Sequence, residues 1–199
     1  MTNAKITKNS TSSEGSIKEI LTVAFPLIIA SATHTVLIFT DRMFLSWYSA
    51  DCIAASGPAS ILSYSFICFF IGTGTYLNTI IAQYSGAKKR FYITKALWQG
   101  IYFGLLSSAA IVMLIPAGNM FIAHSEHGKQ VIILEKSYFS LLMYGGGLAV
   151  MGSVFSSFFS GRGRTRPVMI ITLISTTINI LLDYILIFGK FGFPALGIV

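Results

Sequence analysis

The sequence predicts an all-α fold: a polytopic bundle of transmembrane helices, about five of them complete, followed by the start of a sixth. Three observations carry this reading. Only 11% of the 199 residues are charged and 54% are hydrophobic, whereas a soluble domain is about a quarter charged. Residues 23–40 run eighteen in a row without a formal charge, and residues 167–182 add sixteen more, close to the ~20 that cross a hydrocarbon core. Lastly, the basic residues collect in alternate connections between apolar segments, as topology signals do.

The stretch 1–16 is polar, with Lys5 and Lys8 among Ser and Thr residues. No small-residue cleavage site follows the apolar run behind it, so it reads as a cytoplasmic tail, not a secretory signal. The first helix covers 17–45, with Pro26 near its start, and the second covers 54–83, interrupted at Gly72-Thr73-Gly74-Thr75. The third, fourth and fifth cover 96–117, 137–160 and 167–188. A sixth begins near Ala195, and 17–199 forms one transmembrane unit. Gly100 and Gly104 in the third helix, and Ser153, Ser157 and Gly161 in the fourth, place small residues four apart, which lets helices approach closely in lipid.

Charge placement gives orientation. The tail and first helix start (Lys5, Lys8, Lys18), the connection after the second helix (Lys88, Lys89, Arg90, Lys95) and the one after the fourth (Arg162, Arg164, Arg166) hold ten basic residues. The other side holds four: Arg42, Lys129, Lys136 and Lys190. By the positive-inside rule the amino terminus is cytoplasmic and the protein a multi-pass component of the cell inner (plasma) membrane. The same asymmetry accounts for the net charge of +7 with no nucleic-acid partner. Gly161-Arg162-Gly163-Arg164 reads as a short turn.

Several site classes are excluded. The glycine clusters follow no strand and precede no Gly-Lys-Ser/Thr, so they cradle no nucleotide. Cys52 and Cys68 form no metal pair or disulfide framework, and His124, Glu126 and His127 fit no standard metal spacing. No nucleophile–base pair is present either. We therefore expect neither an enzyme nor a cofactor; the partner the composition demands is the lipid bilayer.

What remains are acids at membrane depth, which cost roughly 2.5–3.5 kcal/mol or more and mark function by default. Two fit, Asp41 and Asp183. Thr172, Thr176, Asn179 and Asp183 step by four, three and four, and so share one face of the fifth helix. Oxygen groups of this kind suit a hard cation such as sodium, and a carboxylate also takes a proton. Asp41 shares a stripe with Ser31, His34 and Ile38, with His34 roughly 10 Å away along the axis. It lies about four residues before the end of its helix, and Asp183 about five before the end of its own, both helices running outward. The two carboxylates are thus expected at similar depth in one cavity. Arg42, next to Asp41, is the plain alternative partner, with both side chains in water. His34 and Ser156 are further cavity-lining candidates; Tyr138, at the opening of the fourth helix, sits where interfacial aromatic anchors are common.

The chain resembles the multidrug and toxic compound extrusion (MATE) family. The resemblance rests on Ala24-Phe25-Pro26-Leu27 with Asp41 later in the same helix, Gly72-Thr73-Gly74-Thr75 followed by Ala82-Gln83-Tyr84-Ser85-Gly86-Ala87, Gly161 through Pro167, and Asn179 through Gly189 with Gly192-Phe193-Pro194. It implies a secondary antiporter exporting small organic cations or drugs in exchange for sodium ions or protons, built as two lobes around a central cavity. This chain would be the first lobe, its partner a missing second lobe or a second chain. The resemblance carries over Asp41, Asn179 and Asp183 as the cation or proton site, with Tyr138 as a neighbour. Where one branch of the family places an asparagine in the fourth helix, this chain has Ser153, Ser156 and Ser157. Two other readings remain: a non-transporting fragment or accessory subunit, and a lipid-linked oligosaccharide flippase of the same superfamily. The flippase ranks lower because phosphate cavities need bases, and the membrane-depth residues here are acids.

The orientation is open to a direct check. In a Cys52→Ala, Cys68→Ala background, Arg90→Cys should resist a membrane-impermeant thiol reagent applied to intact cells and react after lysis. Labelling in intact cells overturns the assignment.

Overall fold

The computed structural model of the protein describes residues 17–189; the tail over 1–16 and the sixth helix expected near Ala195 lie outside the described residues. These residues form seven helices and no strand: α1 (Ile17–Tyr48), α2 (Ala50–Thr75), α3 (Leu77–Gly86), α4 (Arg90–Met113), α5 (Ile115–Ala123), α6 (Lys129–Gly161) and α7 (Arg166–Phe188). Because α2 with α3 and α4 with α5 are each one rod broken at a single residue, five spans are long and apolar enough to cross a membrane. The end carrying Lys88–Arg90 and Arg162–Arg166 is called the basic end below, and the opposite one the far end.

Local chemistry sets the boundaries. Ser49 alone separates α1 from α2, its hydroxyl accepting from the Asp51 N–H at 3.3 Å, as an N-cap does. Gly189 closes α7 in the left-handed region at φ 63°, which a residue without Cβ adopts freely. Two expectations change. Gly72-Thr73-Gly74-Thr75 does not interrupt its helix. The Thr73 and Thr75 hydroxyls donate back to the carbonyls of Phe69 at 2.9 Å and Gly72 at 2.8 Å, satisfying themselves within the helix, and the break falls at Tyr76. The helix expected over 137–160 begins instead at Lys129. That extra length takes in Glu135, only 3% exposed, which His127 Nδ1 meets at 3.0 Å.

Packing divides the helices into two groups. In the first, α2 and α4 lie along α6, with α3 and α5 closing the two ends. Its core holds Ile67, Ile111, Phe139, Met143 and Val150, with a second cluster of Leu77, Ile81, Ile93, Ala96 and Val154 toward the basic end. In the second, α1 runs beside α7, and α7 touches α6 only lightly. One apolar contact ties the groups together: at the far end Phe44, Leu45, Cys52, Ala55 and Ile187 form a cluster onto which Val131, Leu134 and Tyr138 of α6 pack. At the basic end the hydroxyl of Thr165, which opens α7, donates to the Val23 carbonyl of α1 at 3.0 Å, a bond within the second group. Between that cluster and the basic end a cavity lies between α1, α6 and α7.

Small residues let the spans close on one another. A Cβ at Gly100 would come within 2.8 Å of Leu77 and 2.9 Å of Val154, and one at Gly161 within 2.6 Å of the Asn78 carbonyl. At Gly147 it would overlap the Ser108 side chain, while the neighbouring Gly145 faces open space. Gly147→Ala should therefore destabilise the bundle by about 1–3 kcal/mol, the usual cost of overpacking. Gly145→Ala should be neutral or mildly stabilising through helix propensity. Thermal unfolding followed by circular dichroism in detergent separates them; equal shifts for both variants would refute the α4–α6 contact.

Candidate functional site

The parallel pair α1 and α7 carries one acid each, and its alignment decides the site. Asp41 and Asp183 reach the same depth, with their carboxyl groups in hydrogen-bonding contact. Two carboxyl groups sustain such a contact only when at least one of them carries a proton. Asp41 Oδ1 is buried and takes no hydrogen bond among the described residues. It offers lone pairs to a proton or cation.

Two side chains complete the cluster. Arg42 does not face water. As the next residue on α1 it points toward α2, where its Nη1 donates to the Ser56 hydroxyl at 2.6 Å, and its charge remains within reach of Asp41. Ser56 is fully buried. Tyr138 is not an interfacial anchor, because α6 begins nine residues earlier at Lys129. It sits half-buried inside the bundle, its hydroxyl in hydrogen-bonding reach of Ser60 and its ring within electrostatic reach of Asp41, Asp183 and Arg42.

The surroundings of the pair differ sharply on its two sides. One turn beyond it toward the far end, Phe44, Leu45, Cys52, Ala55 and Ile187 form the apolar cluster, and the Phe44 ring meets those of Tyr184 at 6.0 Å and Phe188 at 5.9 Å. This is a hydrophobic plug. Toward the basic end lies a cavity of about 670 Å³ between α1, α6 and α7. His34 and Leu37 line it from α1, Gly152, Phe155, Ser156 and Phe159 from α6, and Val168, Ile171, Thr172, Ser175, Thr176 and Asn179 from α7. Asn179 is one helical turn, roughly 5.4 Å, from Asp183, and links the cavity to the pair.

The structure thus places His34, Ser156, Thr172, Thr176 and Asn179 around one cavity, whereas Asp41 and Asp183, expected inside it, are not part of its lining, and Tyr138 stands within electrostatic reach of the acids rather than in the cavity wall. It also sorts the three serines of α6. Ser156 faces the cavity, Ser157 donates to the Thr75 carbonyl at 3.5 Å, and Ser153 bonds back to Val150 at 2.7 Å. Sequence reasoning missed the inward turn of Arg42 and the burial of Glu135. The only sequence signal for the first is that adjacent helix positions point about 100° apart, so a base beside a site acid faces a different helix. Lys136 masks the second by making the stretch look like a loop.

Comparisons with known proteins find relatives over most of this chain. A family model described as MatE matches residues 26–185. The chain is 33% identical over 192 residues to a probable multidrug resistance protein NorM of Oceanobacillus iheyensis, covering 94% of this chain and 42% of the relative. It is 30% identical over 183 residues to the multidrug resistance protein MdtK of Klebsiella pneumoniae, covering 90% of this chain and 40% of the relative. Its fold is similar to a solved multidrug resistance MATE family transporter of the MOP superfamily in an outward-facing conformation, with a TM-score of 0.79 at 21% identity, over 91% of this chain and 40% of that one. The chain therefore spans about two fifths of the length of the relatives it matches.

The carboxyl contact makes one measurable demand. Infrared titration of the carboxyl C=O stretch should show that Asp41→Asn displaces the Asp183 titration by on the order of one pH unit or more, as coupled sites do, and that Asp183→Asn does the same to Asp41. Unmoved titrations in both variants would mean that the two acids do not share a site.

Proposed function

This chain belongs to the MatE family, a family of membrane transporters rather than enzymes, and on that premise we propose that it forms the first lobe of an antiporter. The complete antiporter exports small organic cations or drugs in exchange for sodium ions or protons, and this lobe supplies Asp41, Asn179 and Asp183 as the coupling site. The observation that carries the proposal is the carboxyl pair set between a hydrophobic plug and an open cavity. In this reading the protein lies in the cell inner membrane with its amino terminus in the cytoplasm. Its partners are the bilayer, the transported cation and a second lobe, supplied by the same protein or by another chain.

The chemistry follows from distance and charge. A flexible organic cation in the cavity, among Phe155, Phe159 and the hydroxyls of Ser156, Thr172 and Thr176, sits on the order of 10 Å from the carboxyl pair. At an effective dielectric of about 20, a unit charge at that distance is worth roughly 1.7 kcal/mol, a factor of ten or more in affinity. Negative charge on the pair holds the organic cation; loading the pair with sodium or a proton removes that attraction. The two ligands then compete through the field, and linkage makes the competition reciprocal. Ionised or loaded, the pair is screened from the far end by Phe44, Leu45 and Ile187, so exchange with that side requires α1 and α7 to part from α2.

The lining favours a cation over a phosphate-bearing lipid headgroup. Among the described residues the cavity wall contains no Lys or Arg and a single titratable side chain, His34. A phosphate would find no fixed positive charge there.

A binding measurement tests this. The purified chain in lipid nanodiscs should bind a fluorescent organic cation roughly tenfold more weakly when sodium is added or the pH is lowered, and Asp41→Asn with Asp183→Asn should abolish that dependence. A dependence that survives the double substitution rules out these acids as the coupling site.

A further inference from the structure

We infer that a groove between the first turns of α1 and α7, at the basic end, binds one anionic phospholipid whose phosphate is held by Arg166. On α1, Ile17, Leu21, Phe25 and Ile29 step by four and so form one apolar stripe. Arg166 and Met169, three apart on α7, face it across a space of about 830 Å³. The stripe is open: Ile17 is 76%, Leu21 55% and Phe25 60% exposed. Among the described residues Arg166 is the one charged side chain in this wall, and it joins no ion pair among them. The groove therefore offers an apolar surface and one unmatched positive charge. Its complement is an amphiphile with a single negative charge. The site is separate from the cavity lined by His34 and Asn179, whose described wall holds no Lys or Arg.

Depth points to the same ligand. The Thr165–Val23 bond at 3.0 Å sets the start of α7 level with Val23. From there the Arg166 side chain is carried toward the basic end, because helical Cβ atoms tilt to the N-terminus and long cationic stems snorkel to the membrane surface. On the other side of that level the stripe continues to Ile29 for roughly 9 Å, within a hydrocarbon leaflet of about 15 Å, half of the ~30 Å core. A phosphate at Arg166 thus leaves an acyl chain lying along Phe25, Met169 and Ile29. In the orientation proposed above, this leaflet is the one that carries anionic lipids. Other occupants match less well. The tail over 1–16 carries Lys5 and Lys8 against Glu14, so it brings no surplus of negative charge. A water-soluble anion would leave the apolar stripe uncovered. A lipid seated here bridges α1 and α7, the two helices that carry the acids, from outside their cavity.

Tryptophan quenching in lipid nanodiscs tests the site. Both faces of a nanodisc carry the same lipids, so the outcome does not depend on orientation. The full chain carries Trp47→Phe and Trp98→Phe, with Phe25→Trp as the reporter. The discs are phosphatidylcholine containing a small fraction of either acyl-brominated phosphatidylglycerol or acyl-brominated phosphatidylcholine. We expect the anionic lipid to be preferred roughly fivefold at the reporter, the weight of one basic residue near an anionic surface, and the preference to shrink with added salt. Arg166→Gln should remove the preference. Arg166→Lys should keep it, as should Arg164→Gln, which lies outside the groove wall. Equal quenching by the two lipids in the reporter protein overturns the inference, as does a preference that survives Arg166→Gln or vanishes equally in Arg164→Gln. In cells, Phe25 replaced by p-benzoylphenylalanine should photo-crosslink to a phospholipid, a result that stands even if an Arg166 variant fails to fold. A crosslink to a polypeptide instead, whether a second lobe or another chain, overturns the lipid as occupant.

Discussion

Two carboxyl groups in contact inside a membrane-spanning bundle constitute the constraint around which the rest is arranged. Ionised together at low dielectric they repel strongly and lack water to relieve the repulsion. The structure meets this in three ways. It sets the Arg42 guanidinium, bonded to Ser56, within electrostatic reach of Asp41. It places Tyr138 within electrostatic reach of both acids. It also leaves Asp41 Oδ1 without a donor among the described residues. A pair fully satisfied by fixed groups would be inert.

The helix grouping serves the same end. α3, α4 and α6 are locked by close contacts at Gly100, Gly147 and Gly161, where any added side chain collides. The α1–α7 pair is held to them chiefly by the apolar cluster around Phe44 and Ile187, while the Thr165–Val23 bond joins α1 to the start of α7. The cavity is the space left between α1, α6 and α7 toward the basic end.

Some features were invisible for specific reasons. The Gly72-Thr73-Gly74-Thr75 run looks like a helix break because glycine is a poor helix former in water; in lipid a helix has no alternative for its backbone groups, and the threonines bond inward instead. Glu135 looks like a loop acid beside Lys136, yet it is buried against His127. Tyr138 looks interfacial only because the charges upstream conceal the first two turns of α6. In each case a local rule of composition was outweighed by a nearby hydrogen-bond partner or by the absence of water.

By itself the sequence determined the all-helical membrane class, the number of complete spans and the two acids worth attention. Those properties are local: a span is a run of apolar residues, and a charge at membrane depth is costly wherever its neighbours lie. Only the tertiary structure decided that Asp41 and Asp183 touch, that Arg42 turns to Ser56, that Tyr138 joins them, and that a plug closes one side while a cavity opens on the other. Positions 41 and 183 are separated by most of the chain, and which helices lie side by side depends on the fit of glycines and side chains across spans. A one-dimensional pattern of hydropathy and charge does not contain that fit.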